Sequence, residues 1–184
     1  MVRILLTLLI TACLMLGSFY YLSYNQKFDL QTASKVIIHP TLYTTYRIKG
    51  NNMLPNFSDN RYYLASKLSD DVILNRGEVI VTGSPFDYQL HIKRIIGLPG
   101  EDIMLKSGRI YINNKILEEP YLAGTYINTI SGKYLPEGQH IMIQKDAYFL
   151  LNDNRDVIDD SRTWGSVQRI KFFDQLVSCY RNCK

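Results

Sequence analysis

Short runs of β-branched and aromatic residues dominate the chain after residue 40, and they constrain the fold more than any other feature. Each run is bounded by Gly, Pro, Asn or Asp, which favour turns and are depleted from strand interiors. The runs predict strands over residues 41–49, 62–65, 78–82, 89–96, 102–105, 109–112 and 147–151. Because no long stretch of this region has helical periodicity, we predict a mostly β, antiparallel domain.

Two short segments between these runs predict tight hairpins. Ser107-Gly108 and Asn113-Asn114 carry the residue types that two-residue hairpin turns require. Near the end of the chain, RIKFFDQLVSC, residues 169–179, fits a strand or a helix equally well. We assign residues 41–184 to one extracytoplasmic domain.

The N-terminal segment from Ile4 to Leu22 contains no charged residue. At about 1.5 Å per residue, a helix of this length spans a hydrocarbon core. We therefore predict a membrane anchor helix over residues 1–24 and a linker with the entry to the domain over residues 25–40. A cleavable signal peptide fits less well, because no small-x-small exit follows the run. The expected location is the cell membrane, with a single pass and the domain on the outer side.

An alternative for the N-terminus remains open. Residues 10–13 read Ile-Thr-Ala-Cys, which fits a lipobox whose Cys13 would be lipidated after cleavage. The apolar run continues well past Cys13, and an anchor needs this continuation while a lipoprotein does not. In either case the body of the protein is attached to a membrane.

Charge and cysteine content argue against two classes of ligand. The formal net charge is +4, and no Lys/Arg cluster of the kind that tracks phosphates is present, so we expect no nucleic-acid partner. Cys179 and Cys183 form a CxxxC pair that lacks the two further ligands of a structural zinc site. The pair is compatible with a small disulfide or with two free thiols. We expect no metal and no cofactor.

Three segments carry the functional argument: GNNMLPNF at 50–57, HIKRIIGLPGED at 91–102 and LLNDNRDVIDDSRTWGSV at 150–167. Together they resemble the bacterial type I signal peptidases, whose corresponding motifs read Gly-x-Ser-Met-x-Pro, Lys-Arg-x-x-Gly-x-Pro-Gly-Asp/Glu and an Asp-Asn segment ending in Asp-Ser-Arg. The order, the spacing and the single N-terminal anchor agree. The resemblance implies a mostly antiparallel β fold and removal of signal peptides outside the membrane by a Ser/Lys dyad.

The resemblance places Lys93 at the general-base position. A lysine with its ordinary pKa of about 10.4 is charged near neutral pH and must be desolvated before it can accept a proton. Lys93 is flanked by apolar residues on a predicted strand, and its neighbour Arg94 should face the other side. A solvated surface lysine is the alternative that the residues alone favour.

The nucleophile position departs from the family. Aligning Met53 and Pro55 with the family's Met and Pro places Asn52 where the serine should be. An amide donates and accepts hydrogen bonds and can pair with Lys93, but it cannot form the ester intermediate. Ser58 is the nearest hydroxyl in this loop, and recruiting it would require the loop to rearrange.

The third segment also differs from the family motif at a position near the reaction centre. Ile158 occupies the position of the serine that orients the lysine in the family, and Asn152 replaces a glycine. The surrounding polar residues are retained: Asp153, Asn154, Asp160, Ser161 and Arg162. We expect Asp160 and Arg162 to form an ion pair that supports the fold.

Three hypotheses follow. The first is a signal-peptidase-like protein without peptidase activity that binds pilin or exported-protein segments by strand addition, similar to the altered-dyad proteins of Gram-positive pilus gene clusters. The second is an active type I signal peptidase with an unusual nucleophile, supported by the retention of Lys93. The third is an anchored binding domain or lipoprotein whose match reflects the fold alone. The first is our prediction, and the second is its alternative.

Overall fold

A computed structural model of the chain describes residues 41–87, 89–122 and 128–181. The predicted anchor, the predicted linker, Cys13 and Cys183 lie outside the described residues. Within the described ranges, no helix is both long enough and apolar enough to cross a membrane.

The described residues form eleven strands and one short helix. The strands are β1 (Tyr43–Arg47), β2 (Tyr62–Lys67), β3 (Val79–Gly83), β4 (Leu90–Gly97), β5 (Asp102–Lys106), β6 (Arg109–Ile112), β7 (Lys115–Ile116), β8 (His140–Met142), β9 (Ala147–Leu151), β10 (Val167–Gln168) and β11 (Phe172–Arg181). The helix α1 (Ser161–Trp164) and two 3₁₀ turns, Pro120–Leu122 and Arg169–Lys171, complete the set.

The strands form two sheets in which every paired strand is antiparallel. One sheet has seven strands in the order β1-β2-β11-β3-β4-β9-β10, and the other has four in the order β7-β6-β5-β8. The predicted mostly antiparallel β fold is confirmed, and each of the seven predicted strands is present. The ambiguous segment at 169–179 is a 3₁₀ turn followed by β11, which pairs with both β2 and β3.

Both predicted hairpins are present. Ser107 and Gly108 have φ angles of 51° and 71° and connect β5 to β6. Asn113 and Asn114 have φ angles of 49° and 64° and connect β6 to β7. Positive φ at both central residues matches the twist of the flanking strands, which explains the Gly and Asn at these turns.

Strands β4 and β9 each contribute residues to two apolar clusters. Ile95 and Leu150 face one cluster, while Ile96 and Phe149 face the other. Side chains alternate between the two faces of a strand, so a strand buried on both sides is apolar throughout. This explains the continuous apolar character of Ile95-Ile96 and of residues 147–151, and it places β4 in the middle of the molecule with Lys93 on it.

Candidate active-site groove

The loop that follows β1 turns sharply at Gly50. Gly50 has a φ of 87°, and its backbone N–H donates to the Asp59 carboxylate at 2.9 Å, which closes the base of the loop. A side chain at this position would strain the backbone. Beyond the turn, Met53 is 2% exposed, and the Phe57 N–H donates to the Met53 carbonyl at 2.8 Å. Asn52 is therefore held between a tight turn and a buried anchor.

Hydrogen bonds connect this loop to the segment that follows β9. The Asn154 N–H donates to the Asn52 carbonyl at 3.0 Å, and the Asn154 side chain donates to the Asn51 carbonyl at 3.1 Å. Asn56 Nδ2 donates to Asp153 Oδ2 at 2.8 Å. The first and third sequence motifs are thus in direct contact, and the backbone at Asn52 is fixed by the third motif.

Asp153 also fixes the second motif. Its carboxylate accepts from Arg94 Nε at 2.7 Å and from Arg94 Nη2 at 2.5 Å, and the pair is buried. The Arg94 guanidinium lies 4.1 Å from the centroid of the Tyr121 ring. This bidentate pair joins β4 to the third motif.

Asp160 and Arg162 form the ion pair expected from the sequence, and both side chains are fully buried. Arg162 Nη2 lies 2.7 Å from Asp160 Oδ2, and the guanidinium also donates to the backbone carbonyls of Ile130, Arg155 and Val157. Asp160 additionally caps α1 by accepting from the Arg162 N–H. These contacts give the third motif its shape.

A groove of about 300 Å³ runs between the end of β1 and the start of β4. Both strands line this groove, although β2, β11 and β3 lie between them in the sheet. The groove is lined by Tyr46, Arg47, Ile48, Lys49, Asn52, Met53, Val81, Gln89, Leu90, His91, Ile92 and Lys93. Asn52 and Lys93 both line this groove, and the described residues of the lining include no Ser, Thr or Cys.

Lys93 is fully buried on β4, not solvated. Its Nζ lies 4.9 Å from the centroid of the Trp164 ring. Desolvation by burial lowers the pKa of Lys93 to about 8, against the opposing charges of Asp159, Asp160 and Asp87 and with the help of the Arg162 charge. Lys93 therefore has the environment that a general base requires.

Residues that the sequence did not single out surround this lysine. His91 Nε2 lies 3.0 Å from Asp87 Oδ1, and its Nδ1 lies 3.5 Å from Asp159 Oδ2. Trp164 Nε1 donates to Asp159 Oδ1 at 3.0 Å, and the His91 and Trp164 rings meet edge to face at 5.2 Å. The hydrogen bond to His91 lowers the pKa of Asp87. This network, rather than a hydroxyl, borders the amine.

The remaining predicted site residues lie outside the groove lining. Ile158 is 40% exposed, and Ser58 is half-buried, with its N–H 3.4 Å from the Tyr63 hydroxyl. Asn152 is fully buried and donates to the Val157 carbonyl at 2.9 Å, while its Oδ1 has no hydrogen-bond partner among the described residues. Ser161 Oγ accepts from the Leu150 N–H at 2.9 Å, which is a structural contact.

Residues 5–180 match the family described as signal peptidase, peptidase S26. The chain belongs to this family. It is 33% identical to signal peptidase IB of Staphylococcus aureus over 154 residues, which cover 77% of each chain. It is 29% identical to signal peptidase I V of Bacillus subtilis over 136 residues, which cover 69% of this chain and 79% of the relative. A crystal structure of a signal peptidase I from Enterococcus faecalis V583 is 30% identical, with a TM-score of 0.47, and covers 58% of this chain and 98% of that one.

Family membership makes the composition of the groove informative. The groove lining includes the amide of Asn52 and the desolvated Lys93. The amide can hold a peptide by hydrogen bonds, but it offers no oxygen that forms an ester. The resemblance did not indicate Asp159 or His91 as site residues. Asp159 had one signal in the sequence, because it is a charged residue directly beside Ile158.

Proposed function

We propose that this signal peptidase family member is a membrane-anchored binding protein without peptidase activity. The anchor is the apolar N-terminal segment, and the domain faces the outer side of the membrane. Its groove holds extended segments of pilins or other exported proteins and assists their assembly at the surface. The observation that carries the proposal is a groove whose lining, in the part of the chain that the structure describes, contains Asn52 and no Ser, Thr or Cys.

The size of the catalytic loss supports inactivity. In serine hydrolases, removal of the nucleophile lowers the rate by about a factor of a million. Ser58 does not replace it, because it does not line the groove. Ile158 removes the hydroxyl at the lysine-orienting position as well. The residual rate would be without biological use.

Free strand edges support peptide binding. β1 is at the end of the seven-stranded sheet, so one of its edges is unpaired within the described residues. Leu90–Lys93 pair with β3 on one side, while β9 pairs only from Arg94 onward. Two unpaired edges therefore border the groove, and an extended segment can add to either by backbone hydrogen bonds.

The test is cleavage of a signal-peptide substrate by the full-length chain and by the double variant Asn52→Ser with Ile158→Ser. We expect the natural chain to remain at background and the double variant to cleave. Adding Lys93→Met to the double variant should abolish this gain. Cleavage by the natural chain would overturn the proposal.

The role in assembly has a separate test. Deleting the gene in its host should reduce surface polymerisation of a pilin, and the natural gene and its Lys93→Met variant should both restore it if no peptidase step is needed. Unchanged polymerisation after deletion would remove the pilus part of the proposal.

The alternative is an active type I signal peptidase that cleaves signal peptides of exported proteins. The observation that favours it is Lys93, which is buried with a pKa of about 8. At pH 7 about a tenth of such lysines are neutral and able to accept a proton. Release of a product ending in Ala-x-Ala by the natural chain would establish this alternative.

A further inference from the structure

Three basic side chains of the groove lining form no ion pair within the described residues. Arg47, Lys49 and Lys93 all contribute to the lining, and none forms an ion pair within the described residues. Among the residues that the structure describes, the lining contains no Asp or Glu. The buried arginines elsewhere, such as Arg94 and Arg162, are paired with carboxylates. The charges of Asp159, Asp160 and Asp87 act on Lys93, but none of these carboxylates is within ion-pair distance of its amine.

The nearest carboxylates are already engaged. Asp59 accepts from the Gly50 N–H and from Asn60. Asp87 accepts from the Gln89 N–H and contacts His91. Neither acid is among the described residues that line the groove, although the charge of Asp87 acts on Lys93.

Two more carboxylates contact residues that line or border the groove. Asp159 accepts from Trp164 Nε1 and faces His91 Nδ1. Asp174 accepts from the hydroxyl of Tyr46. Neither carboxylate is among the described residues that line the groove, although the charge of Asp159 acts on Lys93.

Lys93 differs from the two rim cations because it is fully buried, whereas Arg47 and Lys49 are exposed. Its amine has no hydrogen-bond acceptor among the described residues and lies against the Trp164 ring. A buried charge is costly unless it is paired. A carboxylate entering the groove would provide this pairing in a desolvated place, where charge–charge attraction is strongest.

We propose that the groove selects extended peptides that carry a carboxylate at the position facing Lys93, with Arg47 and Lys49 attracting the segment at the rim. This inference rests on the proposed function and adds the chemical class of the segment that is bound. The carboxylate comes either from an Asp or Glu side chain or from the free C-terminus of a peptide, and both share the same recognition chemistry.

The test uses the full-length chain and fluorescent peptides of one length with capped ends that differ only in a central Glu, Gln or Lys. A fourth peptide has the Gln sequence and a free C-terminal carboxylate. We expect the Glu peptide or the free-carboxylate peptide to bind about tenfold more tightly than the capped Gln peptide, and the Lys peptide to bind most weakly. Which of the two is tighter identifies the source of the carboxylate.

Two variants locate the preference. In Lys93→Met the Glu-to-Gln affinity ratio should fall to about one. In the double variant Arg47→Gln with Lys49→Gln the ratio should fall in part and become less dependent on salt, because exposed charges are screened. If Lys93→Met does not fold, the double variant still tests whether the basic residues of the groove set the Glu-to-Gln affinity ratio. Arg109→Gln, which removes an exposed arginine on β6, is the matched control and should leave the ratio unchanged.

Failure of this inference is distinguishable from failure of the proposed function. Equal binding of the capped Glu, Gln and Lys peptides would overturn carboxylate selection and leave peptide binding intact. Preference for the Lys peptide would overturn it as well, and would assign the recognition to Asp87 and Asp159. Absence of binding by all four peptides would overturn the inference together with the binding role.

Discussion

The amine of Lys93 lies 4.9 Å from the centroid of the Trp164 ring, and the two side chains come from the second and third motifs. Trp164 covers the lysine from the side of the apolar cluster that contains Ile80, Ile95 and Leu150. The ring attracts the ammonium form, but it also excludes the water that would solvate it. Burial is the larger effect, since desolvation is the first cause of the lowered pKa.

Lys93→Met should stabilise the protein at pH 7. The folded-state pKa of about 8 lies below the ordinary value of 10.5, so burying the ammonium costs free energy wherever both states are protonated. Removing it should raise the free energy of unfolding by about 1–3 kcal/mol. Urea denaturation of both proteins at pH 7 provides the comparison.

The same pair of proteins tests the sign of the pH dependence. Between about pH 8 and pH 10.5 the unfolded chain still holds the lysine proton, while the folded chain has released it. The contribution of Lys93 to the free energy of unfolding therefore rises with pH. The difference in stability between Lys93→Met and the natural chain should therefore shrink across this window. A difference that stays constant would show that the lysine is not desolvated. Taking the difference also cancels the tyrosines that titrate at high pH.

The sequence was sufficient for the strands, because they depend on local patterns. Runs of β-branched residues ended at turn residues, and the hairpins at Ser107 and Asn113 followed from turn chemistry. β11 was ambiguous because the polarity of its residues does not follow their burial: Asp174 is buried, while Phe173 is 49% exposed. The register also shifts along the strand.

The surroundings of Lys93 could not be predicted in the same way. His91, Asp159 and Trp164 come together through tertiary packing, and no spacing in the sequence relates Asp87 to Asp159. The sequence placed Asn52 near Lys93 only through the family resemblance. The charge pattern of the groove combines residues of β1 and β4, which are not neighbours in the sheet.

Arg162→Leu should strongly destabilise the fold. The guanidinium is fully buried, pairs with Asp160 and donates to three backbone carbonyls, so its removal leaves a carboxylate and these carbonyls without partners. Breaking such a buried pair costs about 3–5 kcal/mol. Arg109→Leu is the matched control on an exposed strand position and should change stability by less than about 0.5 kcal/mol. Equal midpoints of urea denaturation for the two variants would contradict this role.

Asn56→Ala should loosen the loop that carries Asn52 without unfolding the domain. The side chain donates to Asp153 Oδ2 and to the Tyr121 carbonyl, and both bonds are lost. A loss of about 1 kcal/mol corresponds to roughly fivefold faster hydrogen exchange at the Asn154 amide, which donates to the Asn52 carbonyl. Asn75→Ala, at a turn before β3, is the control and should leave exchange at Asn154 unchanged. Acceleration at all core amides instead would indicate global destabilisation.

Trp164→Ala should raise the pKa of Lys93 from about 8 toward its ordinary value. Removing the ring admits water to the amine, and the regained solvation of the ammonium exceeds the lost attraction of the ring. Trp164→Phe keeps an aromatic cover and loses only the hydrogen bond from Nε1 to Asp159, so the pKa should change far less. Titration of ¹³C-methylated lysines by NMR measures the pKa of Lys93 in both variants. The Lys93 signal is assigned by its loss in Lys93→Met. An unchanged pKa in Trp164→Ala would mean that the strands around Lys93, and not Trp164, exclude water from the amine.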